Sequence, residues 1–256
     1  MSNEKKSKRQ ERREKIKKQQ SRSRVWMIVL IVIGAIFLVF AFVWPSLRPA
    51  AGVVSIDPGT HPNANDNSMG DPNAPIHITE FSDFQCPFCE QFHKNTESTL
   101  RQYYIDTGKV LFTYRSMGNW VSRNVGGTST ESQDAAAAAY CAGDQNKFWE
   151  MHALLFANVI GEDAGSFTDK RIKAIAEKVN GLDINQFNNC YDSGKFKDRV
   201  QQDFDDGTKA GVNGTPAFVL SYTVNGQTKT KLIEGAQPFS QFQQDIEAAL
   251  NEMGAK

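Results

Sequence analysis

Phe81-Ser82-Asp83-Phe84-Gln85-Cys86-Pro87-Phe88-Cys89 is the stretch on which the reading of this 256-residue chain turns. It overlaps a short β-branched and aromatic run, Ile76-His77-Ile78-Thr79-Glu80-Phe81, read as a strand, and leads into a helical pattern that reaches about Tyr104. Two thiols three positions apart can close a disulfide, hold half a metal site or simply be buried. Their place at a strand-to-helix junction favours redox chemistry. Cys86 stands at the helix N-terminus, where unpaired N–H groups and the helix dipole stabilise an anion. Cysteines so placed have pKa values of about 3.5–7.5, against about 8.5 when free. Pro87 suits the first helical turn, because the N–H it lacks would have had no helical partner. Cys89, one turn further in, is the expected resolving thiol. A structural zinc site commonly draws four ligands from two paired motifs. Cys141 and Cys190 form no second CxxC and none of the four histidines makes a spaced pair, so neither a metal nor a cofactor is expected.

Outward from the motif, Gly108 punctuates the chain and Val110-Leu111-Phe112-Thr113-Tyr114 reads as a second strand, giving a β-α-β unit. The next hundred residues read as helical: about 133–158, an amphipathic 169–179 with Ile172, Ile175 and Val179, and about 183–209. Phe148, Trp149 and Met151 are expected in the core of this block. Strand character returns at Pro216–Leu220, Asn225-Gly226 marks a hairpin turn, and Thr230–Ile233 is its partner. Phe242, Ile246, Ala249, Leu250 and Met253 recur at helical spacing and end before Gly254.

The formal net charge is zero, yet residues 1–24 hold eleven Lys and Arg against three Glu, so the body of the chain is acidic. That distribution argues against a nucleic-acid-binding domain. Val25 to Trp44 follow, twenty residues with no charged or polar side chain apart from the two terminal indoles. As a helix they span about 30 Å, the thickness of a bilayer's hydrocarbon core, with Trp26 and Trp44 at the interfaces. The stretch is longer than the h-region of a cleaved signal peptide, usually about 7–15 residues. It is read as an uncleaved signal anchor. The basic cluster sets the topology: 1–24 a cytoplasmic tail, 25–44 the span, 45–73 a flexible linker rich in Pro, Gly, Asn and Asp, and 74–254 a folded domain outside the cytoplasm. Disulfides persist there, and four cysteines permit complete pairing.

The nine-residue stretch resembles the active-site segment of the DsbA-like branch of the thioredoxin superfamily. Gly211-Val212-Asn213-Gly214-Thr215-Pro216 resembles that family's second hallmark, a cis-proline loop facing the cysteines. The resemblance covers about residues 70–254. It implies an α/β, thioredoxin-like fold with a helical domain inserted at about 120–209. It further implies that Cys86 is the nucleophile, that Pro216 is cis, and that the backbone of Thr215 aligns an extended substrate peptide. Glu80, six residues before Cys86, falls where such proteins often bury an acid that relays a proton to or from the second cysteine. Asp83 is a rival for that role, and an exposed carboxylate on an edge strand is the plainer reading of Glu80. A structural disulfide between Cys141 and Cys190, stapling two helices of the insertion, is implied by membrane-tethered relatives, with an electron-relay pair as the alternative. His93, two turns after Cys86, is expected to be packed or on the surface.

One departure stands out. The best-known oxidases of the family carry His where this chain has Phe88, so the thiolate lacks an imidazolium neighbour. The activity expected is a protein disulfide oxidoreductase introducing disulfides into exported proteins that bear thiols. It would be reoxidised by a quinone-linked membrane partner of the DsbB or vitamin K epoxide reductase type. A reductase or isomerase on the same scaffold is the alternative, and a non-catalytic binding or chaperone module is a third.

Overall fold

Ile76–Ser82 forms the central strand of a five-stranded sheet because its alternate residues, Ile76, Ile78 and Glu80, turn to one buried face. The computed structural model describes residues 26, 27, 29–40 and 52–254. Two separate units divide at Pro49 and Ala50. In the first, the described residues are helical and exposed. Among the described residues no helix is long and apolar enough to cross a membrane. The basic tail 1–24, together with Val25, Ile28 and 41–44 of the expected span, lies outside them.

In the second unit the strands are β1 (Ser68–Met69), β2 (Ile76–Ser82), β3 (Val110–Ser116), β4 (Ala217–Val224) and β5 (Gln227–Glu234), in the order β1-β3-β2-β4-β5. β2 and β3 are parallel, with Glu80 opposite Tyr114; β4 is antiparallel to both β2 and β5, with Phe218 opposite Glu80. The β2–β3 crossover is one helical run over 87–105, α1. It is α-helical at Pro87–Phe92 and Ser98–Leu100 and widened to π turns at His93–Glu97 and Arg101–Ile105. Asn225 and Gly226 both have positive φ, 51° and 77°, as a two-residue hairpin turn requires.

Six helices lie between β3 and β4: α2 (Trp120–Asn124), α3 (Glu131–Gly143), α4 (Phe148–Ala157), α5 (Asp169–Ala176), α6 (Ile184–Ser193) and α7 (Lys197–Lys209). The sequence pattern merges α3 with α4 and α6 with α7. The structure breaks the first pair at 144–147, where Asn146 takes a φ of 57°, and the second at Gly194, a left-handed C-cap with a φ of 69°. α3 is buried over nearly its whole surface, Ala135 to Ala139 included, because small side chains let neighbouring helices approach on several sides. α7 closes on the sheet at Gly207, where a Cβ would lie 2.5 Å from the Met117 sulfur and 2.8 Å from the Phe81 ring. The final helix, α8 (Phe239–Glu252), buries Phe242, Ile246, Ala249 and Leu250.

The expected linker 45–73 needs correction over its described part. β1 pairs antiparallel with β3, Met69 is fully buried, and the Asn158 side chain both accepts from the Val54 N–H at 2.7 Å and donates to its carbonyl at 3.1 Å. Arg199 of α7 donates to Asp66 at 2.7 Å and to Asn67 at 2.9 Å. Turn-forming residues obscure this docking in the sequence, because two strand residues are too few to show a period.

Candidate active site

The turn that delivers the cysteines is built around Asp83. After β2 ends, the buried Asp83 carboxylate accepts from the N–H of Gln85 at 2.8 Å, from the N–H of Val121 at 3.0 Å and from the Ser132 hydroxyl at 2.6 Å. Its carbonyl accepts the Cys86 N–H at 3.0 Å. Burial pushes the acid up to about 6, and these same bonds oppose the rise. Both carboxylate oxygens are thus committed to holding the motif between β2, α2 and α3.

Cys86 is the N-cap of α1, with extended φ and ψ of −73° and 121°, and Pro87 opens the helix. Cys86 is 5% exposed and Cys89 fully buried, and both are free thiols. The Cys86 thiol is drawn down to about 7. The hydrogen bond from the Cys89 thiol is the foremost cause; the Thr215 side chain and the N–H groups of Cys89 and Phe88 add to it against the opposing effect of burial. The helix terminus, the cause legible in the sequence, acts through those N–H groups, and the neighbouring thiol adds to it at its own expense. Cys89 is pushed well up by burial first, then by its bond to Cys86 and by the charges of Cys86 and Glu80. An N–H from Asp83 reaches the Cys89 sulfur at 3.5 Å. The two sulfurs therefore differ sharply in acidity, and only Cys86 retains any exposure.

The loop before β4 faces this pair. The Thr215–Pro216 peptide is cis, and the Cys86 thiol donates to the Thr215 carbonyl at 3.3 Å. Gly235 donates to the Pro216 carbonyl at 2.8 Å, fixing the loop to the end of β5. Beside the Cys86 sulfur lies a groove of about 300 Å³ lined by Phe88, Trp120, Val125, Gly214 and Thr215 among others. Phe88 is 60% exposed and Val125 57%, an apolar rim around a reactive atom.

Glu80 lies on the central strand, not an edge, and is 1% exposed. Burial, followed by the charge of Glu97, pushes its carboxyl up to about 8. Its Oε2 has no hydrogen-bond partner among the described residues. Cys141 of α3 and Cys190 of α6 are joined as a disulfide across 49 positions of sequence. His93 is packed, not free on the surface: its Nδ1 lies 2.8 Å from Glu97 Oε2. Glu97 and His152, close to it in space, are singled out by no pattern in the sequence, since the three are contributed by two helices more than fifty residues apart.

A thioredoxin family model matches residues 63–248. Among curated proteins, the Na+/H+ antiporter NhaA 1 of Salinispora arenicola is 29% identical over 169 residues, 66% of this chain and 23% of the antiporter. The chain thus spans under a quarter of that relative's length. The probable disulfide bond formation protein D of Bacillus anthracis is 27% identical over 155 residues, 60% of this chain and 69% of the relative. Among solved structures, α-DsbA1 of Wolbachia pipientis superposes with a TM-score of 0.59 at 23% identity, covering 75% of this chain and 94% of that one. The family match runs unbroken from before β1 into α8 and takes in both the cysteine turn and the proline loop, so the chain, DsbA-like in fold, belongs to the thioredoxin family.

Proposed function

We propose that this chain is a membrane-tethered protein thiol–disulfide oxidoreductase that introduces disulfides into exported proteins. The observation that carries the chemistry is the split between the two thiols, Cys86 drawn down to about 7 and Cys89 pushed up beside it. In the oxidised enzyme a client thiolate attacks the more accessible Cys86 sulfur, forming a mixed disulfide and expelling Cys89. Cys89 then takes a proton, which buried Glu80, with its carboxyl at about 8, is suited to give. A second client thiolate attacks the client's own sulfur and expels Cys86, whose low pKa makes it the better leaving group. The client leaves oxidised and two electrons remain on the enzyme. Cys89 keeps the proton from Glu80, and Glu80 and the Cys86 thiolate are reprotonated from solvent, which received the two protons of the client thiols. A quinone-linked membrane protein of the DsbB or vitamin K epoxide reductase type would collect the electrons. The Thr215 hydroxyl, which has no hydrogen-bond partner among the described residues, is free to donate to the Cys86 sulfur once it is an anion. The apolar groove with Phe88, Trp120 and Val125 suits an extended, unfolded segment of client.

The role named for the Bacillus anthracis relative supports the oxidising direction. A specific observation favours a second reading, a reductase or isomerase. A Cys86 pKa of about 7 is thioredoxin-like, whereas a strongly oxidising thiol lies near 3.5, and Phe88 supplies no positive charge. Equilibration with glutathione separates the two. A potential close to about −120 mV is the expected result for the oxidase, and one close to about −270 mV would replace it with the reductase. Run alongside, Cys86→Ser abolishes oxidative refolding of a reduced client; full activity in that variant would leave only a binding module.

A further inference from the structure

Three of the chain's four histidines gather around one buried carboxylate. His93 and Glu97 bound the first π turn of α1, and such widened turns are frequent at functional sites. His152 enters from the middle of α4, and His61 stacks on Trp149 with ring centroids 5.9 Å apart. Donor atoms of His93, Glu97 and His152 all lie within 4.8 Å of one another. His152 is 1% exposed and packed among the rings of Phe84, Tyr114, Phe148, Trp149 and Phe156. Neither of its ring nitrogens has a hydrogen-bond partner among the described residues. A neutral imidazole carries one donor and one acceptor, and burying both unpaired is costly. In a box of aromatic rings a phenylalanine would fill the same space without that cost.

We propose that His93, Glu97 and His152 bind one divalent first-row transition-metal ion. Two imidazole nitrogens and one carboxylate oxygen suit zinc, copper, nickel or iron, and disfavour calcium and magnesium, which take oxygen ligands. An ion about 2.0–2.2 Å from each donor needs only side-chain adjustment from the present spacing. Binding displaces the proton held between His93 and Glu97 and breaks no other bond. His93, with 19% of its side chain exposed, is the route of entry and leaves the remaining coordination positions to water. The ion would tie α1, the helix that carries both redox cysteines, to α4 of the inserted helices.

Zinc alone is the probe, titrated into the full chain after chelator treatment, with Cys86 and Cys89 first closed as a disulfide so that no free thiolate competes. Equilibrium dialysis should find one ion per chain, and zinc should raise the melting temperature. His152→Phe, which keeps the shape of the box, and Glu97→Gln, which keeps the carboxylate's size, should each weaken binding by about 100-fold or more and abolish the rise. Wild-type protein that takes up no zinc at millimolar concentration would overturn the proposal. So would a folded Glu97→Gln variant that binds one zinc as tightly as wild type.

Discussion

Glu80 is where burial has the clearest consequence for a single residue. Its folded pKa of about 8 lies well above the ordinary 4.5, so between those values the folded state holds a proton that the unfolded state has released. Stability contributed at this position is therefore fully present below about pH 4.5, falls as pH rises, and stops falling above about pH 8. Glu80→Gln removes the dependence. The variant should match wild type in denaturant at pH 4.5 and exceed it by an increasing margin toward pH 9, on the order of a few kcal/mol at the upper end. The same variant has no proton to give. Rapid mixing of oxidised protein with a reduced peptide at pH 7 should show mixed-disulfide formation slowed on the order of 10²-fold, the lower end for general acid catalysis. An unchanged rate would remove Glu80 from the chemistry and leave the stability result standing. Asp83 has three hydrogen bonds to lose, so Asp83→Asn should loosen the turn that carries Cys86 rather than slow a proton transfer.

Among the elements, those with a clean period are legible from the order of residues alone. β2 and β3 alternate, α5 and α8 carry amphipathic spacing, and Asn225-Gly226 announces its hairpin. Elements defined by contact rather than period are not. β1 is two residues long, and the breaks that split the long helical patterns rest on the conformations of Asn146 and Gly194. The candidate site divides in the same way. Cys86, Cys89, Thr215 and Pro216 lie in two compact motifs, whereas His61, His93, Glu97 and His152 come together only when α1, α4 and the segment before β1 pack. The disulfide between α3 and α6 gives a measurable consequence at this scale. Closing 49 positions of chain contributes about 4 kcal/mol in the chain-entropy relation. Replacing both Cys141 and Cys190 by Ser should lower unfolding free energy by about that amount, with Cys86 and Cys89 reduced in both proteins. An electron-relay role makes a different forecast, in which oxidation of Cys86 and Cys89 slows while stability holds.

For the molecule as a whole, the arrangement of charge and hydropathy along the chain makes a physical claim about location. Eleven cationic side chains in residues 1–24 are attracted to an anionic membrane surface, at about 1 kcal/mol each when close to it. That attraction is screened by salt, with a Debye length of about 3 Å at 1 M. An inserted apolar segment is indifferent to salt, because its free energy comes from removing hydrocarbon from water. The two modes are therefore separable in one preparation. Expressed in a bacterial cell, the full chain should stay with the membrane fraction through a wash in 1 M salt and leave it only in detergent. If the Lys and Arg cluster faces the cytoplasm, protease added outside intact spheroplasts should digest the unit that holds Cys86 and spare an epitope placed at residue 1. Release by salt alone would reduce the N-terminal region to an electrostatic contact. Digestion of the epitope with protection of the thioredoxin-like unit would put Cys86 in the cytoplasm, where thiols are kept reduced, and would favour the reductase over the oxidase.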